Sequence, residues 1–389
     1  MLPRLAPDDL VAVLLAPGPV WRDVVRSVWE SAAALLPVDH RLSPSEREAL
    51  LARARPTVVV DDEGVWRIEG GLPAEPDIAL AVATSGTGGE PKVAELTRSA
   101  VTAAVEASAA ALGAEPSEGW LCCLPPAHVG GLLVILRAVL LGSPVAVHAR
   151  FDPRAFEAEP DLAFVSVVPT MLARLLDARV DLRRFRAILV GGAALSEDLA
   201  ARAAGAGARL VPTYGLTESC GGVVYDGEPL TGTEVRIGDD GEIVLRGPTV
   251  MRGYRLDPAA TTAAFDAERW LRTGDAGSFD GGGLHVDGRI DEAILTGGER
   301  VWPTEVEAAL RPHPGVGDVA VAGRPDHEWG ERVVAFIVPA DPNRPPGIED
   351  LRGFAAGRLA GYKGPREVVL VDRLPRTRSG KVMRRLLEK

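Results

Sequence analysis

Lysine is nearly missing from this chain. Of 43 Lys and Arg side chains only four are lysine, at 92, 363, 381 and 389, and every other cation is arginine. Cysteine is as scarce: Cys122 and Cys123 are adjacent and Cys220 stands apart, so neither a disulfide framework nor a metal-ligand spacing is present. A reducing cytoplasm is the natural reading of that usage. Basic blocks are lacking too, the longest being the short "MRRLLEK", and with a net charge of -11 this argues against nucleic acid as the main partner. No long uninterrupted apolar run exists either. The most apolar segment, "VGGLLVILRAVLLGSPVAV", is broken by Arg137, Gly142 and Pro144, and reads as a buried helix and strand rather than a membrane span. The Leu and Val runs near the start are interrupted by Asp8 and Asp9 without a preceding basic stretch, so no signal peptide is expected.

What is present suits a soluble globular protein of 389 residues, 46% hydrophobic and 25% charged, with room for two or three domains. From about residue 75 to 225, β-branched runs such as "IALAVAT", "DLAFVSVVP" and "RAILVGG" alternate with Ala/Leu/Arg-rich stretches of helical pattern. The alternation predicts an α/β fold of βαβ units, with mostly parallel sheets and ligands at the carboxyl ends of strands. Between about 228 and 287, short strands with glycine turns predict a small β subdomain. A separate, smaller α+β domain is expected from Asp291 to 389, leaving 1–290 as the large N-terminal domain.

The stretch "TSGTGGEPK", 84 to 92, follows a strand candidate. Glycines let backbone N–H groups form an anion nest, and Thr84, Ser85 and Thr87 add hydroxyl donors around Gly86, Gly88 and Gly89. A Walker A loop is excluded because Lys92 follows Pro91 and precedes Val93, and G-x-G-x-x-G fails because Pro91 occupies the third position after Gly88. Taken alone, such a run is equally well a surface turn. The lysine usage shifts the balance: a chain that writes arginine by default keeps lysine where a compact ammonium differs from a guanidinium fork. Lys92 and Lys381 are therefore read as phosphate or carboxylate contacts.

Five segments now stand in order: "TSGTGGEPK", "VPTYGLTES", "LRTGDAG", "GRIDEAILTGGERVWPTEVE" and "LPRTRSGKVMRR". Together, over roughly residues 75 to 389, they resemble the adenylate-forming enzymes, the superfamily of acyl- and aryl-CoA synthetases, luciferases and peptide-synthetase adenylation domains. The resemblance implies a large domain binding ATP and an acid, and a small C-terminal domain that turns between two half-reactions about a hinge at Asp291. It implies that Thr84 to Lys92 hold the β and γ phosphates of ATP. Tyr214 and Gly215, with Gly191, Gly192 and Ala193, would flank adenine, and Thr217 would touch the α phosphate. Glu218 would ligate Mg²⁺, a hard cation suited to carboxylate and phosphate oxygens. Asp275 and Arg289 would contact the ribose, and Lys381 would stabilise charge as the acid's carboxylate displaces pyrophosphate. Gly297 and Gly298 would leave room for the pantetheine arm of coenzyme A in the second step.

The segment "LPPAHVGGLLVILRAVLLGSPV" resembles the family's P-x-x-H-x-x-G helix, which implies that His128 and Gly131 line the acid pocket. Short length before the first motif favours a small aromatic acid over a long fatty chain, and the nearest branch in appearance is the o-succinylbenzoate:CoA ligases of menaquinone biosynthesis. Arg137 interrupts the apolar helix, and a buried charge is costly unless paired. It is expected either to pair with a structural carboxylate or reach solvent, or to receive the second carboxylate of a diacid. Other readings stay open: another small aryl- or acyl-CoA synthetase, a stand-alone adenylation enzyme loading a carrier protein, or a non-catalytic nucleotide sensor. A homodimer is left open as well.

Overall fold

A computed structural model describes residues 4–84, 91–159, 161–376 and 382–387. The chain divides into two compact units, Met1–Arg236 with Val244–Thr273, and Ile237–Ile243 with Gly274–Lys389.

The first unit holds two seven-stranded sheets. One contains β1 (Leu10–Val13), β2 (Ala34–Pro37), β3 (Val58–Val60), β4 (Val65–Arg67), β5 (Ile78–Thr84), β6 (Lys92–Thr97) and β16 (Gly253–Tyr254), in the order β16-β6-β5-β2-β1-β3-β4. Its centre is parallel, and its flanks β6, β16 and β4 are antiparallel. The other sheet contains β7 (Gly119–Cys122), β8 (Val145–Val147), β9 (Leu162–Val167), β10 (Ala187–Val190), β11 (Leu210–Leu216), β12 (Gly221–Tyr225) and β13 (Glu228–Pro229), ordered β13-β12-β11-β10-β9-β7-β8. It is parallel from β8 to β11, and β12 and β13 add two antiparallel pairings at its edge. The mostly parallel α/β pattern read from the alternation is thus present, with antiparallel edges that it did not reveal.

Helices α1 (Val20–Glu30), α2 (Pro44–Ala54), α3 (Arg98–Leu112), α4 (Val129–Leu141), α5 (Pro169–Asp177), α6 (Glu197–Gly205) and α7 (Pro258–Ala263) cover these sheets. Helix α3 starts where Thr97 Oγ1 accepts the Ala100 N–H at 3.1 Å and stops at Gly113, whose φ of +58° suits a residue without Cβ. Helix α4 packs against α1, α3, β7 and β12, so every residue from Gly131 to Ala138 is buried, Arg137 included. A helix enclosed on all sides is apolar all round rather than amphipathic, as its sequence is.

In the second unit, β17 (Leu271–Asp280) and β18 (Gly283–Arg289) form an antiparallel hairpin through Asp275–Asp280 and Gly283–Arg289. This hairpin, expected in the N-terminal domain, groups with the C-terminal residues: Thr304 Oγ1 donates to the Asp287 carbonyl, and Gly274 N–H donates to Glu242 Oε1 at 2.8 Å. Strands β14 (Glu234–Ile237) and β15 (Glu242–Arg246) precede it in sequence. A five-stranded sheet follows, from β19 (Ile294–Thr296), β20 (Glu299–Val301), β21 (Val316–Asp326), β22 (Gly330–Pro339) and β23 (Glu367–Leu370). Helices α8 (Pro303–Leu310) and α9 (Ile348–Ala355) bury Val306, Leu310 and Leu351 on one face. On the other face Leu374 and Leu387, from the last residues of the chain, pack over Ala320, Ala322, Val334 and Phe336.

Candidate functional site

In the first unit the motif residues gather at strand ends. Thr84 ends β5 and pairs with Lys92, which opens β6. Ser85, Gly86, Thr87, Gly88 and Gly89 lie outside the described residues, as does Lys381. The Lys92 ammonium sits 5.0 Å from the centre of the Tyr254 ring, and the Tyr254 hydroxyl donates to Glu218 Oε1 at 2.8 Å. Thr217 and Glu218 form a short 3₁₀ turn after β11, which packs on β6 and is tied down where the Met251 N–H donates to the Glu218 carbonyl at 2.8 Å. Tyr254, on a two-residue strand, went unnoticed in the sequence. It joins two motifs that are 126 residues apart (218 − 92).

The glycines of this region are held by close contacts. A Cβ at Gly215 would lie 1.9 Å from the Gly221 carbonyl oxygen across the β11–β12 pair, and one at Gly191 would lie 2.4 Å from Thr213 Oγ1. Gly192 takes a φ of +78°. Only a residue without Cβ at 191 lets the chain run this close beside β11, which carries Tyr214. Gly131 has the same constraint in the first turn of α4, where a Cβ would come within 2.4 Å of the Pro125 carbonyl oxygen.

His128 caps α4 at its N-terminus, and its Nε2 lies 3.9 Å from Asp39 Oδ2. Burial alone would raise the Asp39 pKa. Hydrogen bonds from the Arg41 side chain and backbone N–H, with the nearby Arg41 and His128 charges, overcome that and hold it at about 2. The Asp39 carboxylate behind His128 is a second feature that local sequence did not suggest.

Arg137 is 4% exposed. Its Nη2 donates to the Tyr225 hydroxyl at 3.1 Å, its guanidinium stands 5.1 Å from the Trp120 ring centre, and Tyr225 in turn hydrogen-bonds Ser108 at 2.9 Å. The expected carboxylate partner or exit to solvent is thus replaced by a phenol and an indole face. With its side chain 4% exposed, Arg137 lies in the interior that joins α3, α4, β7 and β12.

In the second unit Asp275 on β17 and Arg289 on β18 are cross-strand neighbours, with Arg289 Nη1 3.5 Å from Asp275 Oδ1. Gly274, at φ +70°, makes room: a Cβ there would sit 2.7 Å from the Arg289 guanidinium. Arg289 Nε also donates to Asp291 Oδ1 at 3.0 Å. Burial, which lowers the Arg289 pKa, is outweighed by the Asp291 hydrogen bond and the surrounding carboxylates, which hold it protonated. Gly297 and Gly298 form the two-residue turn between β19 and β20, with φ of +62° and +84°. That is the backbone of a type I′ hairpin turn, which favours glycine at both positions.

Among the described residues no cluster of three His, Cys, Asp or Glu could hold a metal by itself. Glu218 fits a cation completed by phosphate oxygens, because its Oε1 is fixed by Tyr254 while Oε2 carries no hydrogen bond among the described residues. A cavity of about 540 Å³ between α2 and the Pro56–Gly71 segment contains none of these residues.

Comparison with known proteins agrees with this geometry. The AMP-binding enzyme model matches residues 69–255 and the AMP-binding enzyme C-terminal domain matches 305–381. A probable 2-succinylbenzoate–CoA ligase of Mycobacterium tuberculosis is 41% identical over 358 residues, covering 88% of this chain and 89% of that protein. A feruloyl-CoA synthase of an Amycolatopsis species is 34% identical over 438 residues, covering 97% and 88%. Among solved structures, o-succinylbenzoate CoA synthetase from Bacillus subtilis, in complex with its acyl-adenylate intermediate, superimposes with a TM-score of 0.89 at 29% identity, over 99% of this chain and 89% of that one.

Proposed function

This chain belongs to the AMP-binding enzyme family, and from that premise we propose that it joins o-succinylbenzoate to coenzyme A at the expense of ATP. In the first step a carboxylate oxygen of the acid attacks the α phosphorus and pyrophosphate leaves, giving the acyl-adenylate. In the second the thiol of coenzyme A attacks the acyl carbonyl, AMP leaves, and the thiol proton is released. The observation that carries this reading is the joining of Lys92, Tyr254 and Glu218 at the ends of β5 and β11.

Lys92 supplies a compact cation for the terminal phosphates, next to the Thr84–Gly89 segment. Tyr214 and the close-running Gly191–Ala193 form the adenine face, Thr217 meets the α phosphate, and Asp275 with Arg289 meets the ribose. Magnesium held by Glu218 would neutralise phosphate charge as pyrophosphate departs. His128, oriented by Asp39, faces the acid carboxylate, with Gly131 shaping the pocket wall. Asp291 is the pivot that lets the C-terminal residues serve the two steps in turn, and Gly297 and Gly298 pass the pantetheine arm.

The test is release of AMP across a panel of aromatic acids, with ATP and coenzyme A each withheld in turn. Release with o-succinylbenzoate that requires both supports the reading, and release without coenzyme A, only with a carrier protein, overturns it. The feruloyl-CoA synthase relative favours a second reading, a hydroxycinnamate substrate, which the same panel detects.

Two substitutions probe the assignments. Because the Tyr254 hydroxyl orients the proposed metal ligand, Tyr254→Phe is expected to raise the Mg²⁺ concentration for half-maximal adenylation by about tenfold. An unchanged Mg²⁺ dependence would remove Glu218 from the metal. Arg137→Leu is expected to leave the Michaelis constant for the acid within about twofold. Its melting temperature should fall only modestly, since the Tyr225 hydroxyl keeps its hydrogen bond to Ser108 when the guanidinium is removed. A large rise in that Michaelis constant alone would return Arg137 to the acid site.

A further inference from the structure

The proposed catalytic lysine belongs to a segment whose two arms are pinned. Arg376 and Val382 form an antiparallel bridge, and the Met383 N–H donates to the Pro375 carbonyl at 2.9 Å, so the described residues on either side of 377–381 are paired with each other. The incoming arm is held by Leu374, buried in the core, and by Arg376 Nη2, which reaches both carboxylate oxygens of Asp318 at 2.9 and 2.7 Å.

The outgoing arm is held by Arg384, whose side chain is 12% exposed. Its guanidinium donates in three directions: Nε to the Val321 carbonyl at 3.0 Å, Nη1 to Glu292 Oε2 at 2.5 Å and Nη2 to Glu307 Oε1 at 2.7 Å. Glu307 is itself fixed, since its Oε1 also accepts the Val321 N–H at 2.9 Å. Such a pattern needs a planar fork, and an ammonium could not reproduce it. Glu292 is the far end of this connection. It closes the Ile290–Glu292 turn and directly follows Asp291, the proposed pivot, which is bonded to Arg289.

We propose that Arg384 is a positioning residue for adenylation: it fastens the base of the Lys381 segment to the turn that carries Asp291. The proposal rests on the assignment of Lys381 to the first half-reaction. Arg384 touches no reacting atom. It acts by holding the arm that follows Lys381 in the chain, three positions on, where a displacement of about an ångström is costly to a reaction that depends on aim.

The test separates the half-reactions. Arg384→Gln is expected to lower acid-dependent exchange of pyrophosphate into ATP by about 100-fold at saturating ATP, with the Michaelis constant for ATP within about twofold. Conversion of supplied acyl-adenylate to thioester should stay within about twofold, and Arg384→Lys should restore only part of the exchange rate. In a Lys381→Ala background, Arg384→Gln should cost no further adenylation, as expected of two residues acting through one another. Equal loss of both half-reactions, unchanged exchange, or an additive loss in the double variant would overturn the proposal. If Arg384→Gln does not fold, Glu292→Gln, which releases one of the three contacts, should show the same split with a smaller loss, and no split there would overturn it equally. Normal adenylation by Lys381→Ala alone would instead defeat the reading of Lys381.

Discussion

Replacing Lys381 by alanine is expected to lower adenylate formation by at least about 100-fold while the variant still converts supplied acyl-adenylate into thioester. The asymmetry follows from where charge moves. As the acid's carboxylate approaches the α phosphorus, two anions are forced together and negative charge builds on the phosphate oxygens. A mobile ammonium at that point stabilises the transition state more than the separated reactants. In the second step a thiol attacks a neutral carbonyl and AMP departs, so the same cation contributes little. Lys381→Arg should not restore the first step, because a wide planar fork cannot take the place of a compact point charge. That is the functional counterpart of a chain that keeps four lysines against a background of arginine. Adenylation by Lys381→Ala near the unsubstituted rate would take Lys381 out of the mechanism.

What could be read from the sequence was local. The period of the apolar pattern located the strands Ile78–Thr84, Leu162–Val167 and Ala187–Val190 and the helices between them, because a strand or helix buries its own residues at its own spacing. Strands β6, β12 and β16 were missed for other reasons: β6 and β12 fold back antiparallel on the strands just before them, against the parallel expectation, and the two-residue β16 is held by β6, 158 residues earlier in the chain (253 − 95). Tyr254 and Asp39 were missed likewise, since each acquires its role through contacts across 36 residues (254 − 218) and 89 residues (128 − 39) that no periodicity records. Arg137 shows the limit most plainly. The cost of a charge in an apolar helix was evident, but its answer, the Tyr225 hydroxyl and the Trp120 face, depends on how α4 is rotated between α3 and β12.

The glycines of the motifs needed the structure for a different reason. Gly131, Gly191 and Gly215 invited a reading in terms of ligand space, and each proves to be required by protein atoms within 2.4 Å of a hypothetical Cβ. A motif glycine can serve both ends, and only coordinates separate them.

Gly298 is where that separation can be made by experiment. Its φ of +84° disfavours any side chain, yet a Cβ there would meet nothing within 4 Å, in contrast to Gly297, where Trp329 lies 3.0 Å away. Turn geometry therefore explains why residue 298 is glycine, but leaves the space beside it unexplained, and the proposed function fills that space with the pantetheine arm. Two substitutions distinguish turn from passage. Gly298→Asn carries the backbone strain with a short side chain that tolerates positive φ. Gly298→Trp carries at least as much strain and also fills the space. Both should lower stability by about 1 kcal/mol, read as a modest fall in melting temperature. Only Gly298→Trp should then suppress thioester formation from supplied acyl-adenylate, by about 100-fold or more, while pyrophosphate exchange stays within a few-fold of the unsubstituted enzyme. The Asn variant should retain both steps. Equal loss of both steps in the Trp variant, or equal behaviour of the two variants, would mean that the turn accounts for Gly298 and that coenzyme A takes another path.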